Sequence, residues 1–443
     1  MARRRRKQKL PQEPVEAQIA SLSHDGRGVA RIDGKATFIH GALPGERVMF
    51  RYTGKRKSHD EGDVVEVLEA SDQRVVPECA FFGLCGGCNL QHLQAGAQIR
   101  YKQQTLLDAF SRLGKVMPEL VLPPLTNKTP WGYRRKARLG VKHVLKKGRV
   151  LVGFRERSAS FVADMNSCEV LHPKIGHALA DLSTLIGGLS VSARIPQIEV
   201  AMDDQRCVLI FRILESLADA DREKLRDFAR NQGIIIYLQE GGPDTVKPLD
   251  EEANLQYMLP EFGLELHFQP TDFTQVNTDI NRQMISQALD LLALEKQDQV
   301  LDLFCGIGNF TLPMATRAGK VTGVEGAEEL VDRARGNAQR NQLHNVSFYT
   351  ANLYESLEHE PWLQQQFNKV LLDPPRSGAF ELLGHLPRMG AERIVYVSCY
   401  PGTLARDAGE LVNNLGYRLV SAGVMDMFPH TAHVESIALF EKS

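Results

Sequence analysis

The chain is short of cysteine, has no long apolar run and carries almost no net charge. Seven cysteines among 443 residues are too few for a disulfide scaffold. No stretch approaches the roughly 18 consecutive apolar residues of a membrane-spanning helix, so no span is expected. The opening Met1-Ala-Arg-Arg-Arg-Arg-Lys-Gln-Lys9 lacks the apolar run of a secretory signal. A cytoplasmic location is expected. A formal net charge of -1 does not announce a nucleic-acid partner. Hydrophobic residues at 43% are ordinary for a globular protein, and the length suggests two to four domains.

What is present is unevenly placed. Basic residues crowd the first nine positions, then residues 51–57, then 134–157. A basic surface on a neutral whole is compatible with RNA binding, although each run also suits a solvated face. The cysteines cluster as well: Cys79, Cys85 and Cys88 fall within ten residues. A disulfide framework does not explain that crowding in a cytoplasmic chain. Thiolates at this spacing suit zinc or an iron–sulfur cluster, and the spacing alone does not choose between them.

The pattern along the chain predicts a basic tail at 1–11 and three further regions. Residues 12–72 show roughly five short strands punctuated by Gly and Pro, the mark of a small barrel or sandwich. Residues 73–265 begin with the cysteines and an amphipathic helix near 98–112. They continue as a mixed α/β region, with helices over 174–185 and 221–230. Residues 266–443 alternate apolar strands with helices, the signature of an open α/β sheet. Strands are expected at 299–304, 321–325, 346–349, 369–372 and 393–398.

Candidate chemistry gathers at the ends of those strands. Gly306 and Gly308 lie between a strand and a helix, where backbone can approach a ligand closely. Thr311 takes the third glycine position, so the dinucleotide fingerprint fails. Glu325, ending the second strand, can accept hydrogen bonds from ribose hydroxyls, and Asp373 ends the fourth. Cys399 follows a buried strand and precedes a Pro-Gly turn. A thiolate there suits methylation of a pyrimidine at C5. That carbon is a weak nucleophile until a thiolate adds at C6, and cysteine is also a competent leaving group. A base must then remove the C5 proton. Glu435 is the chosen candidate, with His430 and His433 open alternatives.

These motifs together resemble the bacterial 23S rRNA uracil-C5 methyltransferases over nearly the whole chain. The resemblance rests on several stretches. They are Gly41-Ala-Leu-Pro-Gly45, Cys79-x5-Cys85-x2-Cys88 with Cys168, Trp131-Gly-Tyr-Arg-Arg-Lys-Ala-Arg138 and Val152-Gly-Phe-Arg155. The rear of the chain adds Phe273-Thr-Gln-Val-Asn277, Asp302-Leu-Phe-Cys-Gly-Ile-Gly-Asn-Phe310, Asp373-Pro-Pro-Arg-Ser-Gly378 and Ser398-Cys-Tyr-Pro401. Ser377 stands where many relatives carry alanine. The resemblance implies a multidomain α/β protein: an N-terminal OB-like TRAM β-barrel, a central domain with an iron–sulfur cluster, and a C-terminal Rossmann-like methyltransferase domain.

By the same resemblance, Cys399 is the nucleophile and Glu435 the base. Gln275, Phe304, Asn309, Glu325, Asn352 and Asp373 contact S-adenosylmethionine. Cys79, Cys85, Cys88 and Cys168 hold a [4Fe-4S] cluster in a structural role. The implied partner is 23S rRNA, at the uracil of position 1939, bound by a monomer with no membrane contact. The target base would flip out of the stack. Arg134, Arg135, Lys136, Arg138 and Arg155, with Arg157, are expected on phosphates. Trp131, Tyr133 or Phe154 are expected against bases, and Phe273 at the flipped-base pocket. Competing readings are the same chemistry on another 23S uracil or on tRNA, a non-enzymatic RNA-binding assembly protein, and an NAD-dependent enzyme.

Overall fold

The computed structural model describes residues 10–355 and 360–443; residues 1–9, most of the expected basic tail, lie outside them. The chain divides into two compact units, Met1–Lys102 with Phe428–His433, and Gln103–Met427 with Val434–Ser443.

The first unit is built on six strands rather than five: β1 (Val15–Gln18), β2 (Ser21–Leu22), β3 (Gly28–Ile32), β4 (Lys35–His40), β5 (Arg47–Lys55) and β6 (Asp60–Glu69), in the order β1-β5-β6-β4-β3-β2. Alternation sends Ala17, Ile39, Val48 and Phe50 inward, all essentially buried. Gly62 is required on β6, because a Cβ there would stand 2.4 Å from the Phe50 ring. Glu46 is fully buried, with Arg74 on its carboxylate at 2.5 Å. Burial opposes that charge, yet the Arg74 and Leu43 hydrogen bonds hold its pKa below the usual range. Helix α1 (Ala95–Ala109) follows and ends in a wider turn at Phe110–Gly114.

The second unit holds β7 (Leu120–Val121) and a mixed sheet of β8 (Lys136–Val144), β9 (Arg149–Gly153), β10 (Gln197–Met202), β11 (Cys207–Arg212), β12 (Ile235–Gln239) and β13 (Val246–Pro248), ordered β13-β12-β11-β10-β8-β9. The helix expected over 174–185 is two pieces, α2 (Pro173–Gly176) and α3 (Leu179–Gly187). Gly176 brings this turn against the Cys168 carbonyl, 2.3 Å from where a Cβ would sit. Helix α4 (Asp219–Gln232) packs on β12, and the hairpin β14 (Leu255–Leu259) and β15 (Leu264–Phe268) leads onward.

The last sheet positions the site. Its elements are α5 (Thr278–Leu292), β16 (Gln299–Leu303), α6 (Thr311–Arg317), β17 (Lys320–Glu325), α7 (Glu328–Arg340), β18 (Val346–Thr350), β19 (Lys369–Leu372), α8 (Phe380–Leu383), β20 (Arg393–Ser398), α9 (Pro401–Asn413), β21 (Tyr417–Met425) and β22 (Glu435–Lys442). The order is β18-β17-β16-β19-β20-β22-β21-β7. Strands β16 to β20 run parallel, and β22 inserts antiparallel between β20 and β21. The central strands are buried on both faces, which is why they read as unbroken apolar runs such as Ile394-Val-Tyr-Val397. Pro401-Gly402, read in the sequence as a turn, instead starts α9. Proline suits the first helical position because its missing N–H is unneeded there.

Candidate active site

Parallel strands of an open sheet end together, and the turns beyond them form a crevice. Phe304 leaves β16 in the left-handed region (φ 68°), followed by Gly306 (54°) and Gly308 (94°). The backbone therefore folds sharply enough for Gly306 N–H to donate to Glu325 Oε2 at 3.0 Å. Glu325 Oε1 accepts from Gly326 at 2.7 Å, so the acid expected to meet a ribose is already oriented by the loop. Asn309 is held between Asn281, at 2.9 and 3.0 Å, and Tyr257 at 2.8 Å. Thr311 has its own task at the missing third glycine: its hydroxyl donates to Asp302 Oδ2 at 2.5 Å beneath the turn. Burial, then the Asp373 and Glu325 charges, push Asp302 up to about 8. Burial alone pushes Asp373 up to about 7. The Phe304 and Tyr354 rings stand 5.8 Å apart. Asn352 is exposed and accepts from Tyr354 N at 3.2 Å. Gln275 lies half-buried between β15 and α5.

The nucleophile candidate is placed by strand register. Ser398 pairs with Ser436 and Met425 with Glu435. The β20–β22 ladder ends at the Ser398–Ser436 pair, with Cys399 the next residue on one side and Glu435 the next on the other. Glu435 is 3% exposed, while Cys399 is half-buried. Burial pushes the Cys399 thiol up, and the Glu435 and Asp373 charges push the same way. Arg376, hydrogen-bonded to the thiol, pulls it down. The sequence reading quoted Arg376 in its motif without giving it a role. The signal was there: a cation directly after a proline pair, in the turn beyond the strand next to the cysteine's.

Helix α9 steadies the Arg376 loop. Asp407, fully buried, accepts from Ala379 N at 2.8 Å and Tyr396 OH at 2.6 Å. Arg406 donates to the Ser377 carbonyl at 2.9 Å, and Thr403 to the Arg376 carbonyl at 3.2 Å. Ser377 meets Tyr354 OH at 2.8 Å. His430 and His433, the alternative bases, belong to the first unit, where His430 N–H donates to Gln98 at 2.8 Å.

The basic stretch behaves differently from its reading. Lys136 is half-buried and donates to the carbonyls of Pro270, at 3.3 Å, and Asp272. Arg134 turns its Nε onto the Lys136 carbonyl at 3.1 Å. Arg135 spans the Asp203 carbonyl at 2.6 Å and Asp204 at 3.0 Å. Tyr133 is buried and unavailable for stacking. Arg138 is exposed but paired with Glu199 at 3.0 Å. Arg155 and Phe273 remain on the surface, Phe273 71% exposed.

In the first unit the cysteine segment is a run of tight turns. Cys85 N–H donates to Phe81 O at 2.9 Å, and Cys85 Sγ accepts from Gly87 N–H at 3.3 Å. Burial and the nearby Cys79 raise the Cys85 thiol. In the second unit Cys168 is buried, with its N–H on Gly176 O at 2.9 Å. Among the described residues, no three His, Cys, Asp or Glu side chains stand grouped as a metal site.

A family model described as tRNA (Uracil-5-)-methyltransferase matches residues 207–443, and a TRAM domain matches residues 9–50. The chain is 56% identical over 440 residues to the 23S rRNA (uracil(1939)-C(5))-methyltransferase of Alkalilimnicola ehrlichii, covering 99% of each chain. It is 53% identical to the Alcanivorax borkumensis enzyme of that name, covering 100% of this chain and 99% of that one. The chain belongs to the 23S rRNA uracil-C5 methyltransferase family. A solved structure of the Pyrococcus abyssi tRNA (uracil-54, C5)-methyltransferase with S-adenosyl-L-homocysteine superposes with TM-score 0.75. It is 23% identical and covers 96% of this chain and 99% of that one, a likeness of fold. As a member of the family the protein is an S-adenosylmethionine-dependent methyltransferase. Among the described residues no helix is long and apolar enough to cross a membrane.

Proposed function

We propose that this enzyme methylates C5 of the uracil at position 1939 of 23S rRNA, using Cys399 as nucleophile and Glu435 as base. The observation that supports the mechanism is that Cys399 and Glu435 adjoin the last β20–β22 pair, Ser398–Ser436, and that the Glu435 charge acts on the Cys399 thiol. In the resting site burial, and then the Glu435 charge, oppose ionisation of the Cys399 thiol. Arg376 favours the thiolate, as does the N-terminus of α9 just beyond Cys399. The thiolate adds to uracil C6 and the electron pair moves to the C5–C4–O4 enolate. A protonated Asp373, its pKa near 7, can donate a hydrogen bond to a pyrimidine carbonyl. Bound S-adenosylmethionine would supply an electrophilic methyl carbon to C5, its S–CH3 bond breaking to leave S-adenosylhomocysteine. Glu435 then takes the C5 proton, the C6–S bond breaks and the thiolate is released. Gln275, Phe304, Asn309, Glu325, Asn352 and Asp373 form the proposed cofactor wall.

The reading includes three domains, at 12–72, 73–265 and 266–443, and a monomer acting in the cytoplasm where the RNA resides. It also includes a [4Fe-4S] cluster on Cys79, Cys85, Cys88 and Cys168. Four thiols, one per iron, match the donor chemistry, and the N–H to Cys85 Sγ is a bond that a thiolate strengthens. No catalytic step uses the cluster.

The test supplies labelled S-adenosylmethionine with 23S rRNA lacking its methyl groups and maps the product by mass spectrometry. Label at C5 of uracil 1939, absent with Cys399→Ala, is the expected result. Label at another uracil keeps the mechanism and overturns the substrate. No transfer to 23S rRNA overturns both, and tRNA is tried next.

A further inference from the structure

The segment between β15 and α5 has no regular structure, so other groups must hold its shape. At its start Asp272 folds back on Gln269: Asp272 N–H donates to the Gln269 carbonyl at 2.9 Å, and Asp272 Oδ2 accepts from Gln269 N at 2.7 Å. Arg333 of α7 donates to Asp272 Oδ1 at 2.9 Å. Lys136, opening β8, gives its ammonium to the Pro270 and Asp272 carbonyls. At the far end Arg135 N–H donates to the Val276 carbonyl at 3.0 Å, and Arg134 bridges to Asn277. Asn277 in turn caps α5 through Ile280 N–H at 3.3 Å. Phe273, Thr274 and Gln275 lie between these two holds.

We propose that Lys136 is a positioning residue for the segment carrying Gln275, and not a phosphate contact. The inference rests on the function proposed above in taking Gln275 as a cofactor contact. Two of the three ammonium N–H donors are already committed to carbonyls of this segment, and a change that freed those carbonyls would leave acceptors unmet. The groups facing that ammonium are Asp272 and Glu199, with Arg138 opposing. Burial lowers the Lys136 pKa, as expected of an internal group. The neighbouring Arg134 and Arg135 clamp the same segment through their backbones. The basic stretch therefore joins the mixed sheet to the cofactor loop.

The experiment compares Lys136→Met, Lys136→Arg, Arg333→Met and Gln275→Ala in the full chain. S-adenosylhomocysteine affinity is measured calorimetrically without RNA, and RNA affinity is measured against salt. Misplacing the loop should weaken S-adenosylhomocysteine about tenfold or more in Lys136→Met. Lys136→Arg should recover part of this, and the RNA salt slope should stay unchanged. Arg333→Met grips the same loop from α7, so it should repeat the loss even where Lys136→Met folds poorly. An RNA salt slope reduced by about one, with S-adenosylhomocysteine affinity intact, would overturn the proposal. So would no change in either affinity. If Gln275→Ala binds S-adenosylhomocysteine normally while Lys136→Met does not, the positioning role stands and the Gln275 assignment falls.

Discussion

Two stretches stand out in the sequence, and they come to opposite ends in the fold. The strand-end motifs around Asp302, Asp373, Cys399 and Glu435 sit in neighbouring strands of one sheet, so their side chains converge. The basic stretch at 134–138 starts a strand, and its charges are largely engaged by carbonyls and carboxylates of the protein itself. A residue just past a parallel strand has one place to go, the crevice at the sheet's edge. A cation within a strand can face solvent or a neighbouring backbone, and composition does not say which. Motif position relative to an element is therefore more informative than motif charge.

The largest expected effect breaks the first half of this comparison. Cys399→Ala should lose turnover by a factor of about ten thousand or more, because the adduct at C6 cannot form. Some turnover surviving near wild-type level would remove Cys399 from the mechanism. Glu435→Gln should lose roughly a hundred- to ten-thousand-fold, and with a distinct signature. Addition and methyl transfer still proceed, so a methylated RNA–protein adduct should accumulate and survive a denaturing gel. A slow variant with no adduct would move the base elsewhere.

Cys85→Ser sharpens the contrast between the units. Purified without oxygen, it should lack the iron, sulfide and visible absorbance that the cluster proposal expects of the unsubstituted protein, while S-adenosylhomocysteine still binds. An unsubstituted protein free of iron would end the cluster proposal.

On the RNA side, Arg155→Ala should weaken binding and lower the log–log salt slope by about one. Arg138→Ala should do less, since Glu199 already engages that side chain. Equal effects from Arg155→Ala and Lys136→Met would erase the distinction between surface and internal cations.

The smallest effect is on stability. Asp302 and Asp373 keep protons up to about 8 and 7 in the fold, whereas unfolded carboxyls ionise near about 4. Folded pKa values above unfolded ones mean stability fully present below about pH 4 and lost as pH rises through about 7 to 8. Asp302→Asn stays neutral throughout. Its melting temperature should therefore fall less than the unsubstituted protein's between about pH 5 and about pH 9. Parallel falls would show that Asp302 is already charged.

Much of the fold was legible because parallel strands buried on both faces write themselves as apolar runs, and β16, β17, β19 and β20 were read nearly to the residue. Strands β7 and β21 and helix α9 were not. β7 is two residues long, and β21 runs through Ser421-Ala-Gly423, small residues that mask a strand pattern. There Gly423 admits Leu122, whose Cβ would be 2.7 Å from an added Cβ. The Pro-Gly pair at 401 reads as a turn wherever helix and turn share an opening residue.

The sequence by itself determined the family, the alternating architecture and which residue types carry the chemistry, because spacing and hydrophobic period are local properties. Only the tertiary structure decided that Glu435 and Arg376 stand near enough to act on the Cys399 thiol and that Lys136 gives its ammonium to the Pro270 and Asp272 carbonyls. Those facts depend on strand register and on which charges burial forces into partnership, and both are settled between segments far apart in the chain.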